Sequence, residues 1–464
     1  MEAADDNSKL AADVADLKKQ LKEMKDKDAA AKAKLPMSPQ VGGMIQMDMA
    51  MFSQQGGSVA DYNTAQNALE FRRARLSVAG EGWNVIDYKL EMDFATLASG
   101  GLTYGATGAT QLPGYAKPIE QVDMKDCYIT IKELPLLGNV RMGHMKEPFG
   151  LEQQTSDRFS TFMERSIADE GALVPARQNG VMAFNWTEGE RATWAAGVFR
   201  TNCVAPPDYI NWGNSGNTSV TGRVTYLPWY DEATEGRGLL HLGMAGSYRA
   251  MGTEVLSSGT LNQFSIGARP EAHLAPKVVG LTLNTVDDYS LFGTELAYVY
   301  GPLSFQTEYY GAWLNLTNAA NNAYLSGGYG YVSYFLTGEN RPYNKKAGCF
   351  DRVKPYENFF RVRDEDGCVQ TGIGAWEVGY RYSWLDLTDG QAVSAQGIPL
   401  VNGGLAIDHT VGLNWYLNPN LRLMWNYVHS TDTPGANTPS SISVPGQTAK
   451  GYLDTFEMRA ALDF

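Results

Sequence analysis

From Gly42 onward, apolar and polar residues alternate along the chain. The closing stretch, YLDTFEMRAALDF, shows this most plainly. Phe456, Met458, Ala460, Leu462 and Phe464 are apolar, whereas Glu457, Arg459, Ala461 and Asp463 are polar or small. A period of two belongs to a β-strand with one apolar and one wet face. Such segments recur near 42–52, 69–79, 85–95, 123–133, 139–147, 180–187, 192–200, 218–228, 238–250, 289–300, 303–313, 326–337, 374–385, 407–417, 420–429 and 454–464, predicting sixteen strands.

The connections come in two kinds. GEGWN (80–84), LPLLGN (134–139), TEGER (187–191), YGP (300–302) and YLNPN (416–420) are tight turns. Residues 53–67, 97–121, 201–217, 314–323, 388–405 and 431–450 are long and polar. A meander with short turns at one end and long loops at the other is the pattern of an outer-membrane barrel. Closure also removes the edges that an open sheet of this size would expose. The last strand is expected to pair with the first, its apolar face toward lipid and Glu457, Arg459 and Asp463 toward the lumen.

Residues 3–34 follow another period. Leu10, Val14, Leu17, Leu21 and Met24 form a heptad stripe among Lys, Asp, Glu and Ala. This predicts a helix over 1–35, either solvated alone or in a short coiled coil. A coil this short is stable only if other contacts already hold several chains together. Pro36 and Pro39 end it, which makes 36–41 a linker and 42–464 the barrel. The predicted fold class is all-β, a 16-stranded antiparallel transmembrane β-barrel preceded by an α-helical coiled coil.

The segment 148–179 breaks the polar-loop rule. It carries Phe149, Leu151, Phe159, Phe162, Met163, Ile167 and Leu173. A loop with that much apolar surface either folds inward against the barrel wall and narrows the pore, the expectation taken here, or forms an outer cap or a subunit contact.

Composition alone suits a membrane barrel and a soluble all-β protein equally. No run of 18 apolar residues exists, which excludes a transmembrane helix. Barrel strands span with only about 9–11 residues, half of them polar. Gly 49, Tyr 25 and Trp 10 suit tight turns and aromatic belts. The net charge of −13 lies wholly outside the neutral first 35 residues and argues against nucleic acid. The start, MEAADDNSKL, has no secretory leader pattern, so the chain is read as a mature form without its signal. Cys349 and Cys368 bracket a charged stretch, and a loop disulfide between them is expected in an oxidising compartment. No CxxC and no His pair at ligand spacing occurs, so neither a metal nor a cofactor is expected. The five histidines lie apart and no nucleophile motif stands out, so an enzyme is not expected.

Parity places Arg73, Arg75 and Ser77 on the lumen face of RRARLSVA, opposite Ala74, Leu76 and Val78. The two arginines sit about 7 Å apart on that face. They either raise the local anion concentration or pair with acids such as Glu91 and Asp93 on the neighbouring strand.

Several segments resemble the phosphate-selective porin O/P family. EFRRARLSVAGEGWNVIDYKLEMDF is similar to its second and third strands, with the paired Arg72 and Arg73 and with Lys89. GHMKEPFGLEQQTSDRFSTFMERS resembles its fifth strand and constriction loop, ending in Glu164–Arg165. YFLTGENRPYN, GAWEVGYRYSWLDL and VGLNWYLNPNLRLMWNYV resemble later strands in the same order. The resemblance implies a homotrimeric barrel in outer-membrane lipid, and with it a trimeric N-terminal coil. It implies Arg165 as the leading anion contact, Arg177, Arg269 and Lys125 as further contacts, and Lys89 in a lysine path. Guanidinium suits phosphate through its planar fork of donors. The family's dense arginine ladder is reduced to Arg269 in NQFSIGARPEAHLAP, its vestibule lysines are mostly replaced by Asn, Gly and Leu around 315–328, and Lys125 stands where a pore acid is usual. The functional expectation is an outer-membrane porin for small hydrophilic solutes, general or weakly anion-selective. The alternative is a structural protein that tethers the envelope to the cell wall through residues 1–35.

Overall fold

A computed structural model describes residues 37–54, 65–98, 122–201, 217–251, 264–283, 286–317, 322–360, 362–363, 367–393, 399–435 and 451–464. The helix expected over residues 3–34 lies outside them. The strands in chain order are β1 (Met37–Gln54), β2 (Ala68–Gly82), β3 (Ile86–Asp93), β4 (Asp123–Leu134), β5 (Gly138–Lys146), β6 (Arg177–Trp186), β7 (Ala192–Arg200), β8 (Thr218–Tyr230), β9 (Gly238–Ala250), β10 (Phe264–Ala268), β11 (Val279–Leu283), β12 (Val286–Tyr300), β13 (Leu303–Leu316), β14 (Ala323–Phe335), β15 (Tyr343–Asn344), β16 (Cys349–Phe350), β17 (Val362–Arg363), β18 (Val369–Gln370), β19 (Ala375–Val393), β20 (Pro399–Tyr416), β21 (Leu421–Thr433) and β22 (Gly451–Asp463).

Sixteen of these close into one antiparallel barrel, running β1 to β9, then β12 to β14, then β19 to β22. They are the sixteen predicted from the period of two. β22 returns onto β1 with Met44 opposite Asp463 and Gln54 opposite Leu453. The remaining six strands pair as β10–β11, β15–β16 and β17–β18 outside the barrel wall.

Burial is inverted relative to a water-soluble domain. On β22, Phe456 and Leu462 are each 41% exposed, whereas Arg459 and Glu457 are buried at 0% and 1%. Lipid takes the apolar face, so the polar face must be satisfied inside. Among the described residues, three segments fold into the lumen to do this. Residues 147–176, between β5 and β6, bring Phe149, Ile167 and Leu173 onto the wall residues Leu314, Leu325 and Leu385. The β10–β11 hairpin joins the same cluster through Phe264, Val279 and Leu281. From the end with the tight turns, residues 336–350 bring Tyr343 and Phe350 against Leu151, Leu227 and Val299.

Two boundaries and one bond differ from expectation. The linker assigned to 36–41 is already strand from Met37, with Pro39 opposite Gly80 of β2. The loop assigned to 388–405 is largely sheet, because β19 runs to Val393 and β20 starts at Pro399. The Cys349–Cys368 bridge is not formed. Cys349 is a free thiol packed behind Tyr343 and Phe350, and Cys368 is exposed beside β18. The inward fold of 336–350 takes Cys349 into the lumen.

The closing seam has no spare room. Gly43 and Phe464 exchange both backbone hydrogen bonds, at 2.9 and 3.1 Å. A Cβ on Gly43 would lie 2.6 Å from the Arg75 carbonyl oxygen and 2.7 Å from the Phe464 ring. Overpacking of this kind costs about 1–3 kcal/mol. Gly43→Leu is therefore expected to shrink the compact, fast-migrating fraction in unheated SDS gels; migration identical to the parent would contradict the tight seam.

Candidate functional site: the pore constriction

The lumen segment 147–176 is irregular, so its backbone polar groups need partners from the wall. It starts with Glu147, whose carboxylate accepts from Arg249 of β9 at 2.9 and 3.1 Å and from Thr221 of β8 at 2.6 Å. A single helical turn, Leu151–Gln154, follows. Its first two N–H groups, of Leu151 and Glu152, donate to the Glu308 carboxylate at 2.6 and 2.7 Å. These are groups that a helix start leaves without partners. Gly150 makes the turn at φ +70, with the Tyr310 hydroxyl and Glu308 3.2–3.3 Å from where a Cβ would stand.

The segment then runs along the far wall. Arg422 of β21 donates to the carbonyls of Asp157 and Ser160 at 3.2 and 2.7 Å. Asn414 of β20 donates to Thr161 at 2.7 Å, and Arg381 of β19 to Glu164 at 3.0 Å. Arg459 of β22 donates to the Met163 carbonyl. Charge pairing adds to this. Glu164 sits 2.8 Å from Arg72 and 2.6 Å from Arg459. Asp157 is 3.2 Å from Arg73, 3.0 Å from Arg75, and paired with Arg165 of its own segment.

A register shift on β2 makes this possible. Gln46 pairs with Arg73 but Met47 with Phe71, so Arg72 is the extra residue of a β-bulge. Bulges re-aim side chains. Here the bulge lets consecutive arginines both reach inward, to Glu164 and Asp157.

Burial raises the carboxyls of Asp157 and Glu164, but the surrounding arginines prevail and hold both well below the usual carboxylate range. Asp169 moves the other way. Burial, reinforced by Glu152 and Glu308 and only partly offset by Arg165 at 3.9 Å, pushes it well above that range.

The other residues expected at the site are also partnered. Arg75 pairs with Asp93 at 2.8 Å as well as with Asp157, and lies 3.7 Å from Glu91. This is the paired alternative for Arg73 and Arg75, extended by an acid from the loop. Lys89 joins Asp126 at 2.7 Å and Glu91 at 3.0 Å. Arg177 joins Asp126 at 2.6 Å. Lys125 pairs with the exposed Asp123, and Arg269 donates within its own hairpin to the carbonyls of His273 and Ala275 at 3.1 and 2.7 Å.

With the loop drawn to the far wall, a cavity of about 220 Å³ remains on the side of β1 to β6. Six cations line it, Arg75, Lys89, Arg141, Lys146, Arg158 and Arg177, against three acids, Glu91, Asp126 and Asp157. Three of those cations were not identified from the sequence. Arg141 donates to Thr130 at 3.0 Å and lies over the Tyr128 ring at 4.0 Å. Lys146 donates to the carbonyls of Gln153 and Thr155. Neither forms an ion pair among the described residues. Arg158 reaches only to 3.9 Å from Glu91, and its Nε and Nη2 are buried without a hydrogen-bond partner. Arg141 was legible by the parity that placed Arg73, since it shares a face with Met145 opposite the exposed Met142. Arg158 was not, because its direction depends on how the loop folds.

Two outcomes follow. Arg459→Ala leaves Asp48 buried without its cation and Glu164 with Arg72 in place of two close arginines, and breaking such a buried pair costs about 3–5 kcal/mol. Lower heat resistance of the barrel and a larger or noisier single-channel current are expected; unchanged values of both would contradict the pinning. Acidification tests the pairing too. A depressed carboxyl contributes stability that is fully present above its unfolded value and is lost as pH falls through its folded value. Asp169, raised, stays protonated throughout that acid range. The hold of Asp157 and Glu164 on their arginines is therefore expected to keep the loop in place from neutrality to about pH 4, seen as an absence of loop-opening noise in single-channel records, and to fail only below it. Loop release between pH 5 and 7 would contradict the assignment.

Comparison with known proteins places these features. Residues 40–462 match the family described as phosphate-selective porin O and P. Porin O of Pseudomonas aeruginosa is 28% identical over 404 residues, covering 84% of this chain and 82% of the relative. An uncharacterized protein of Caulobacter vibrioides is 26% identical over 392 residues, covering 83% of this chain and 67% of the relative. Among solved structures, the in-vitro folded outer-membrane protein OmpT of Vibrio cholerae, in its trimer form, aligns with a TM-score of 0.47 at 12% identity, over 92% of this chain and 99% of that one.

Proposed function

The chain belongs to the phosphate-selective porin O and P family, and from that premise we propose that it is a passive diffusion channel whose constriction favours small anions. It is a porin of the outer membrane. The observation that carries the anion preference is the imbalance of the cavity, six cations to three acids, with Arg141 and Lys146 in no ion pair among the described residues and Arg158 only 3.9 Å from a Glu91 that Arg75 and Lys89 already share. Charges lining the narrowest part of a pore set its selectivity. A surplus of cations in a low-dielectric wall concentrates anions without binding them permanently.

Phosphate selectivity has weaker support. Arg73, Arg75 and Arg165 are occupied by Asp157, and Arg177 and Lys89 by Asp126. Arg269 is turned to its own hairpin. The guanidinium groups best suited to phosphate are therefore engaged elsewhere, and the reading is a preference for negative charge rather than for one oxyanion.

The same reading takes the assembly to be a homotrimer. The outward face of β1 carries Val41, Ile45, Met47, Met49 and Met51, all exposed, which suits contact with lipid or a second copy. Three such chains would bring their heptad stripes at 10–24 together. The tethering alternative rests on residues 1–35 alone.

Reversal potential in planar bilayers under a KCl gradient tests this reading. The parent is expected to be anion-selective, and Arg141→Gln, Lys146→Gln and Arg158→Gln combined should move it toward neutrality. A cation-selective parent would overturn the reading.

A further inference from the structure

We propose that His409 and His429 form a two-histidine site for a first-row divalent transition cation, nickel, copper or zinc, on the outer wall of the barrel. The site is separate from the pore and does not depend on the anion preference above.

Strand register builds the pair. Tyr382 of β19, His409 of β20, His429 of β21 and Asp454 of β22 stand directly opposite one another in a single cross-strand row. Chain spacing conceals this, because the two histidines belong to different strands and meet only through pairing. All four side chains face outward, since their sequence neighbours Ser383, Asp408, Ser430 and Thr455 are fully buried on the lumen face.

The row lies where lipid gives way to water. The outward positions of β21 run from Leu423, Trp425 and Tyr427 to His429, then to Thr431 and Thr433. Those of β22 run from Met458 and Phe456 to Asp454. Apolar residues thus end at the histidine level, on the side of the long loops. Tyrosines flank the pair, Tyr382 with its ring 5.2 Å from His409 and Tyr452 with its ring 6.0 Å from His429. Such a girdle marks the membrane interface. The His429 side chain is 39% exposed and that of Asp454 27%, so dissolved ions reach them.

Hydrogen bonds orient both rings. His429 Nδ1 lies 2.7 Å from the Asp454 carboxylate, which also accepts from the Tyr427 hydroxyl at 2.8 Å. A carboxylate only accepts, so Nδ1 carries the proton and Nε2 keeps its lone pair. His409 Nδ1 is held by the Tyr380 hydroxyl at 2.7 Å. Neither Nε2 is hydrogen-bonded among the described residues. A ligating histidine is held in this way, its second ring nitrogen fixed by an outer partner.

The ring centres are 6.5 Å apart. Two imidazoles on one ion need about 4.5–5 Å, given metal–nitrogen distances of about 2.0–2.1 Å. Directly opposed Cβ atoms about 4.5–5.5 Å apart permit that approach, with each ring moving by about 1 Å. No set of three or more His, Cys, Asp or Glu ligands assembles among the described residues, so the protein supplies two ligands and water the rest. Imidazole suits nickel, copper and zinc, whereas magnesium and calcium prefer oxygen.

The test is calorimetric titration with Ni²⁺ of the detergent-purified chain, its four cysteines replaced by serine, at about pH 7.5, where imidazole is neutral. One ion per chain is expected, undisturbed by excess Ca²⁺ or Mg²⁺. His409→Gln and His429→Gln should each weaken binding about a hundredfold, because a single ligand no longer chelates. His144→Gln and His273→Gln should bind as the parent does, and all variants should migrate as folded barrels in unheated SDS gels. A folded parent that does not bind Ni²⁺ overturns the proposal. So does binding that survives His409→Gln or His429→Gln, or that Ca²⁺ displaces.

Discussion

Arg381, Arg422 and Arg459 stand on three strands of one wall, and each donates to a backbone carbonyl of the segment that crosses the lumen. That segment is irregular, so its carbonyls cannot satisfy one another. Left unbonded in a closed barrel they would destabilise the fold. Guanidinium groups solve this economically because one planar fork can serve a carbonyl and a carboxylate together. Arg459 does so, holding Met163, Glu164 and Asp48 at once. Removing any of these cations exposes several acceptors, which makes the arrangement cooperative.

The rest of the pore follows from where the loop is held. Its acids, Asp157 and Glu164, are consumed by arginines of β2 and β22. β5 keeps two cations that no loop acid reaches, Arg141 and Lys146. The charge of the opening is therefore set by subtraction: the loop neutralises the arginines of β2 and β22 and leaves the cations of β5 in excess. An acidic chain overall, with a formal net charge of −13, can in this way carry a cationic path. Net charge governs the outer surface and says little about the lining.

The strands were legible because lipid outside and polar groups inside enforce a strict period of two. The boundaries were less so. Pro39 was read as a break, yet β1 meets β22 only from Met44 onward. At Pro39 the strand has β2 on one side and no barrel neighbour on the other, a position that tolerates a missing N–H. The polar loop at 388–405 hid a strand extension because, in barrel strands rising beyond the lipid, neither face needs to be apolar. The inward face of β2 was readable, but the partners of Arg73 and Arg75 were only half readable. Glu91 and Asp93 lie on the next strand, whereas Asp157 is 82 residues from Arg75 and arrives only through the loop. Cysteine spacing could not reveal that residues 336–350 fold inward and take Cys349 away from Cys368. Arg158, the least satisfied cation of the opening, depends on the same kind of tertiary placement.

Which side of the loop is open can be measured directly. In a chain with its four native cysteines replaced by serine, a single cysteine at Ser156 would face the cavity, and one at Asn414 would lie behind the loop. A small, negatively charged thiol reagent added during bilayer recording should modify Ser156→Cys and reduce the chloride current, and leave Asn414→Cys unaffected. Rapid modification at Asn414→Cys with Ser156→Cys inert would mean that the loop is not held by the far-wall arginines and that solutes pass on the other side.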